Sequence, residues 1–256
     1  MLPSYHLVQD GAGYVYSTSG EQLETHLKLL VSLASSLPDF LSAPCLTFDD
    51  GHVSQFRYAF PLLQKYGVRA IFFVIAGWMG GRPDYMTWAQ LRELTAAGHE
   101  VQSHGLTHRF LTRCTDSELA QELQLARSEL QQRLGAGVDA ISIPFGRWNR
   151  RVLQACADAG YRRIYTSDPR PAARSGEQIQ VFGRFMVRSS TTEDEFRRVI
   201  LADRRTLLSL EVKHRCKFWM RTLLGDNLYH RLCGVLGSRH TLEEVRGEYE
   251  SQAKLR

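Results

Sequence analysis

The stretch Cys45-Leu46-Thr47-Phe48-Asp49-Asp50-Gly51 decides how the rest of the chain is read. A short β-type run, Cys45–Phe48, delivers two adjacent carboxylates at its end, and Gly51 permits a sharp turn straight after. Similar runs recur on both sides: His6–Val8, Ala70–Ile75, Glu100–Ser103, Ala140–Ile143, Arg163–Ser167 and Ile179–Val187. Helical patterns lie between most of them. Leu23, Leu27 and Leu30 share one helical face after Ser19, and Ser54 can cap a helix ending at Gly67, which Pro61 should bend or shorten. Thr87 can cap Trp88–Ala97 before Gly98, and Thr115-Asp-Ser-Glu118 forms a capping box for a helix that Gly135 ends. Asn149 and Gly160 bracket another helix, and Thr192 opens one more. Alternation of this kind predicts an α/β protein with a parallel sheet and crossover helices. Seven strands in that order suit a closed barrel better than an open sheet, although periodicity does not decide between them. In a barrel, functional residues collect where strands end and βα loops begin.

Bulk properties are those of an ordinary globular chain. The 256 residues are 43% hydrophobic and 23% charged, enough for a sizeable core without metal or disulfide staples. A net charge of +5 gives a mild attraction to anions, but Lys and Arg are scattered rather than striped with aromatics, so no nucleic-acid partner is expected. Cys45, Cys114, Cys156, Cys216 and Cys233 lie far apart with no Cys-x-x-Cys pair, which predicts reduced, buried thiols in a cytosolic protein. No secretory leader and no run of eighteen apolar residues is recognisable, so the expected location is cytoplasmic, with peripheral contact at the inner membrane as a variant.

Three segments carry chemistry. In Asp49-Asp50-Gly51 one carboxylate can face a metal while its neighbour faces a water, although Asp-Gly by itself is a common turn dipeptide. Ser103-His104-Gly-Leu-Thr-His108 holds two histidines four apart, which converge on one cation if the segment turns helically. With nine histidines this spacing arises by chance in roughly one chain in four, so its place directly after the strand Glu100–Ser103 is what gives it weight. Asp with two His is a reasonable three-ligand set for zinc that leaves positions open for water and substrate. Ser142-Ile-Pro144-Phe145-Gly146-Arg147-Trp148 again follows a strand. Pro144 and Gly146 fix a tight loop, while Phe145 and Trp148 offer flat faces to a sugar; read alone, it is a plain βα connection.

Together, in this order, the segments resemble the polysaccharide deacetylase (NodB-homology, carbohydrate esterase 4-like) family. Thr47-Phe48-Asp49-Asp50-Gly51 matches its first motif, Ser103-His104-x-x-Thr107-His108 its second, and Pro144-Phe145-Gly146 the latter part of its third. The likeness covers roughly residues 5–200, and joint occurrence is far more specific than any one motif. It implies a distorted (β/α)7 barrel over residues 1–204, followed by a helical, basic C-terminal extension over 205–256. It also implies metal-dependent removal of acetyl groups from an amino sugar or polysaccharide, with a role in cell-surface polysaccharide biosynthesis. Carried over by position, Asp50, His104 and His108 match the ligands of a divalent metal, Zn2+ first and Co2+ as an alternative. Asp49 matches the general base, and the Phe145 backbone N–H the oxyanion donor. Pro144, Gly146, Arg147 and Trp148 line the substrate side.

Three departures stand out. Ser142 occupies the place of the third motif's Arg, which normally orients the base, and Arg147 is the expected substitute. The fourth motif's Asp-Trp pair is reduced to Asp168. No Leu-x-His supplies a general acid; the later histidines His214, His230 and His240 fall in the tail, leaving His6 or a protonated Asp49 as candidates. His26, His52 and His99 have no evident partners, although His52 is placed near the site's rim. The tail over 205–237 alternates apolar and basic residues, which suits either an amphipathic helix on an anionic membrane or, as preferred, a helix pair packed on the barrel and broken at Gly225-Asp-Asn. The missing groups leave two other functions open: an impaired barrel that binds metal and glycan, or an amidase for a non-sugar C–N bond.

Overall fold

A computed structural model describes residues 1–9, 15–34, 43–169, 173–175, 179–216 and 219–220. In chain order its elements are β1 (Leu2–Tyr5), β2 (Leu7–Val8), β3 (Ser17–Thr18), α1 (Gly20–Ala34), β4 (Leu46–Phe48), α2 (Phe60–Tyr66), β5 (Ala70–Val74) and α3 (Trp88–Ala96). Then follow β6 (Glu100–Ser103), α4 (Asp116–Leu134), β7 (Ala140–Ser142), α5 (Arg150–Asp158), β8 (Arg163–Tyr165), β9 (Ala173–Ser175), β10 (Ile179–Phe182), β11 (Arg184–Met186) and α6 (Glu193–Ile200). A further helix covers 204–216.

The main sheet runs β11-β1-β4-β5-β6-β7-β8-β10-β9. All its pairings are parallel except β9 on β10. The order closes on itself because only Gly183 separates β10 from β11: Val181 pairs with Ile164 of β8, and Phe185 pairs with Pro3 of β1. The run 179–186 is therefore one bent stave, and the protein is a distorted seven-stave (β/α) barrel. Side-chain alternation separates its two faces. Phe72 and Val74 of β5 point outward into the large core under the helices. Ile71 and Phe73 point into the lumen, where Ala140, Tyr165, Leu2 and Phe182 join them as an apolar plug. Aromatic stacking continues it, with Tyr165 4.8 Å from Phe182 and 4.9 Å from Phe73. The plug is the floor on which the polar site rests.

The predicted caps hold for four helices. Thr87 and Thr115 form full capping boxes with Gln90 and Glu118, and Asn149 and Thr192 each accept the N–H three residues on. Ser54 does not cap. Its Oγ is taken by the Val8 N–H and His52, and a wide π-type turn over Gln55–Ala59 leads into α2, with Pro61 in its first turn. The first barrel strand is Leu2–Tyr5 rather than His6–Val8; of the latter run, Leu7 and Val8 pair instead with Ser17 and Thr18 in a separate two-stranded sheet. Cys45, Cys114 and Cys156 are buried free thiols as expected, but Cys216 is exposed, and Cys233 lies outside the described residues. The helix over 204–216 agrees with the expected helical tail. Leu208, Val212, Trp219 and Met220 are nonetheless exposed rather than packed, while Leu210 touches the core. The expected turn at Gly225-Asp-Asn, His230 and His240 lie outside the described residues. No helix of the described residues is long and apolar enough to cross a membrane.

Candidate active site

Two βα turns at the same barrel mouth bring the metal-ligand candidates together. β4 leads directly into Asp49, and the chain reverses through Asp50 and Gly51, both with positive φ (75° and 79°). A Cβ at Gly51 would lie 2.9 Å from the Val74 side chain, so only glycine lets the turn lie this close to β5. β6 delivers His104, whose N–H donates to the Val74 carbonyl at 2.8 Å, and the loop returns through His108, also at positive φ (60°). Asp50 Oδ1 is 3.3 Å from His104 Nε2 and 3.5 Å from His108 Nε2, and ligand atoms of all three residues lie within 4.8 Å of one another.

Donor chemistry fits a cation. His104 Nδ1–H donates to the Ser142 carbonyl at 2.8 Å, which orients the ring and leaves Nε2 as the nitrogen facing Asp50. Burial alone would raise the Asp50 carboxyl, but the hydrogen bond from His104 and the nearby charges of His108 and His6 hold it well below the usual carboxylate range. Desolvation pushes His108 down to about 4, a neutral imidazole at working pH. For His104 desolvation is outweighed by Asp49 and Asp50, and its value is raised. An anionic oxygen and two histidine nitrogens around one point could hold a metal ion.

Asp49 lies beside this cluster, 2% exposed. Its partner is Arg184, 1% exposed, from the bent stave. Nη1 donates to Oδ1 and Nη2 to Oδ2, each at 2.7 Å, while Ser142 Oγ–H reaches Oδ2 at 3.1 Å and Arg184 Nη2 donates to Ser142 Oγ at 2.8 Å. Burial works against the Asp49 charge, but Arg184 foremost, then His104, keep the carboxyl below its ordinary value. The expectation that Arg147 would orient Asp49 is thus corrected: the Arg147 guanidinium lies 5.4 Å over the Phe110 ring. Serine at 142 leaves room for a guanidinium arriving from the other side of the lumen.

The other predicted residues are spread along the rim. Phe145 and Gly146 both take positive φ (60° and 65°), and the Phe145 ring sits 4.5 Å from that of His108 and 3.9 Å from that of Phe110. Pro144 is buried, so it shapes the loop rather than offering a surface, while Trp148 is half-buried against the core. His6 directly follows β1. Its charge acts on Asp49, Asp50 and His108, and its buried Nδ1 has no hydrogen-bond partner among the described residues. His26, His52 and His99 all have partners: Tyr5 Oη at 2.9 Å, Ser54 Oγ at 2.8 Å, and the Ala70 N–H, which donates to His99 Nδ1 at 3.2 Å. Asp168 meets His214 of the 204–216 helix, Nε2 to Oδ1 at 2.5 Å.

Sequence reasoning missed several contributors. Buried Glu122 of α4 accepts the Leu106 and Thr107 N–H groups at 3.1 and 3.0 Å and the Thr107 hydroxyl, holding the turn between the two histidines. Its signal was a carboxylate set within the apolar stripe Leu119, Leu123, Ala126, Leu130. Gln55 Nε2 donates to the carbonyls of His6 (2.7 Å) and Asp49 (2.5 Å), tying β1 to the first site turn. Trp78, with its ring 5.8 Å from that of His108 and 4.9 Å from that of Tyr85, extends the aromatic rim. Three of the four non-glycine residues with positive φ among those described are Asp50, His108 and Phe145, so backbone strain is concentrated at this mouth.

A nearly closed, mostly parallel barrel with an Asp-His-His cluster and a buried, guanidinium-held carboxylate at the strand ends forms a site that could hold a metal ion, an arrangement suited to hydrolysis. Comparison with known proteins agrees with that class. The polysaccharide deacetylase family model matches residues 43–164. It is similar to the chitooligosaccharide deacetylase of Bradyrhizobium sp. (strain ANU 289), 36% identical over 137 residues, covering 51% of this chain and 59% of that protein. In fold it is similar to the Streptococcus pyogenes deacetylase PplD in complex with acetate (TM-score 0.66, 21% identity, 78% of this chain and 96% of that one). IcaB from Ammonifex degensii is comparably close (TM-score 0.64, 24% identity, 78% and 94%). The matched region spans about half to three-fifths of the length of the curated relatives.

Proposed function

We propose that the protein is a metal-dependent hydrolase that removes acetyl groups from an amino sugar in a glycan, within cell-surface polysaccharide biosynthesis. The observation that carries this reading is the Asp50–His104–His108 cluster set beside Asp49, a buried carboxylate kept ionised by Arg184. The family match over residues 43–164 and the name of the Bradyrhizobium relative support an acetylated carbohydrate as the substrate.

Asp50, His104 and His108 would hold the divalent cation, Zn2+ by the nature of the donor set, with Co2+ as an alternative. Once bound there, such a cation polarises the acetyl carbonyl and acidifies a water. Asp49 takes the water's proton. Arg184 and Ser142 fix its rotamer and keep it unprotonated at neutral pH, so it is ready as a base. The Phe145 N–H, on the left-handed turn after β7, is the donor for the developing oxyanion. Phe110, Phe145 and Trp78 give the sugar ring apolar faces, and Arg147 lies at the same rim.

Acetate release from acetylated chito-oligosaccharides and from a small acetyl ester, with Zn2+ or Co2+ added, tests the reading. The wild type turns over, and Asp49→Asn loses about 10²–10⁴-fold on both substrates. Wild-type protein that binds metal yet releases no acetate from either substrate contradicts it.

A further inference from the structure

The helix over 204–216 has two unlike faces. Asp203 starts it by accepting the Thr206 N–H at 2.8 Å. Positions 203, 206, 207, 210, 211 and 214 are half-buried, recur at helical spacing and so share the side turned to the barrel. Leu210 packs on the core, and His214 meets Asp168, which lies just beyond β8 at the barrel end that carries the site. The opposite side faces outward. Leu208 is 62% exposed and Val212 51%, Cys216 is exposed, and Trp219 and Met220 continue the stripe at 60% and 44%. Leu208, Val212, Cys216 and Trp219 stand four, four and three residues apart, which places them on one line along a helix.

Basic residues frame that line. Arg204, Arg205, Lys213 and Arg215 are all exposed. The single acid of the helix, Glu211, falls on the half-buried side, 3.9 Å from Arg215. Residues 204–221 hold six Lys or Arg against that one acid, so this stretch alone carries the net charge of +5 and the remainder of the chain is balanced. An apolar line inside a basic frame narrows what can cover it. A nucleic acid would use the charge but not Leu208, Val212 and Trp219. A second copy of the chain would set one basic frame against another. A lipid surface with anionic head groups suits both features. No helix of the described residues is long and apolar enough to cross a membrane, so the contact is one that lies along the surface.

We propose that the outward face of the 204–216 helix, continued by Trp219 and Met220, is a docking surface for an anionic lipid membrane. Leu208, Val212, Trp219 and Met220 enter the boundary between head groups and acyl chains. Arg204, Arg205 and Lys213 stay among the phosphates, with their aliphatic stems laid along the apolar line. The inward face stays on the barrel through Leu210 and His214. Docking therefore holds the β8 side of the barrel mouth beside the lipid, whatever bond the site hydrolyses.

Co-sedimentation of the full chain with vesicles tests this, comparing mixed phosphatidylglycerol–phosphatidylcholine with phosphatidylcholine alone. The wild type favours the anionic vesicles by about tenfold or more, and added salt weakens the binding by screening the basic frame. Leu208→Asp/Val212→Asp lowers the partition coefficient by about tenfold or more. Both side chains are exposed, so its thermal melt stays near that of the wild type. Arg204→Gln/Arg205→Gln reduces the preference for anionic over neutral vesicles. Brominated lipid quenches part of the tryptophan emission of the wild type, and Trp219→Phe loses that part, a readout independent of any charge introduced into the helix. Equal binding to both vesicles, or a Leu208→Asp/Val212→Asp variant that binds as the wild type does, overturns the proposal. A wild type that sediments with neither vesicle overturns it too, because other residues of the chain then cover the face. So does a wild-type dimer that Leu208→Asp/Val212→Asp converts to monomer, since a second copy is then the occupant.

Discussion

The two halves of the barrel mouth are built in different ways. On the β4–β6 side, the ligand candidates come from two contiguous turns, Asp49-Asp50-Gly51 and His104–His108, each folded by its own glycine and strained backbone. On the β7–β11 side, Asp49 is held by Ser142 and by Arg184, 135 residues further along, and Asp168 is met by a helix beyond the barrel. The first half is local and follows the family's motifs. The second is assembled by tertiary contact, with its charges supplied from other staves and helices. The lesson is that a motif residue can be absent from its position while its charge is present in space.

The largest expected effect comes from breaking the relocated pair. Arg184→Ser leaves Asp49 buried without its cation, at a cost of about 3–5 kcal/mol in stability and most of the activity. If Ser142 and Arg184 together replace an arginine at 142, the double variant Ser142→Arg/Arg184→Ser recovers part of both losses in thermal melts and acetate release. Losses that simply add would show that the two positions do not share one role.

A smaller effect probes the local half. Glu122→Gln removes the charge that grips the Leu106 and Thr107 N–H groups, and loosens the turn between His104 and His108 without touching a ligand. Metal affinity, read by competition with a chelating indicator, should fall by roughly 10–100-fold, while kcat at saturating metal stays near wild type. An unchanged affinity would mean that the two histidines are placed by their strand alone.

How far the sequence could be read follows the same division. Strand–helix alternation and four helix caps were legible because they are local, and six of the seven expected runs became staves. The first strand was misplaced because Pro3 argues against a strand interior, yet Leu2–Tyr5 is paired on both sides, by β4 and β11. Arg184 was unreadable as the partner of Asp49, since only barrel closure through the bent stave brings the two together. Glu122 was readable in principle as a charge inside an apolar stripe. Its partners, two backbone N–H groups and a threonine hydroxyl, have no sequence signature. His214 was set aside as part of a tail, and only its contact with Asp168 draws it to the mouth.

The most direct test of the metal-dependent deacetylase account is acetate release from acetylated chito-oligosaccharides by the chelator-stripped protein, before and after Zn2+ or Co2+ is returned, beside Asp50→Ala. The account predicts one metal per chain, activity lost on stripping and restored on addition, and an Asp50→Ala variant that recovers neither metal nor activity. Acetate release that survives stripping, or that persists in Asp50→Ala, would contradict it.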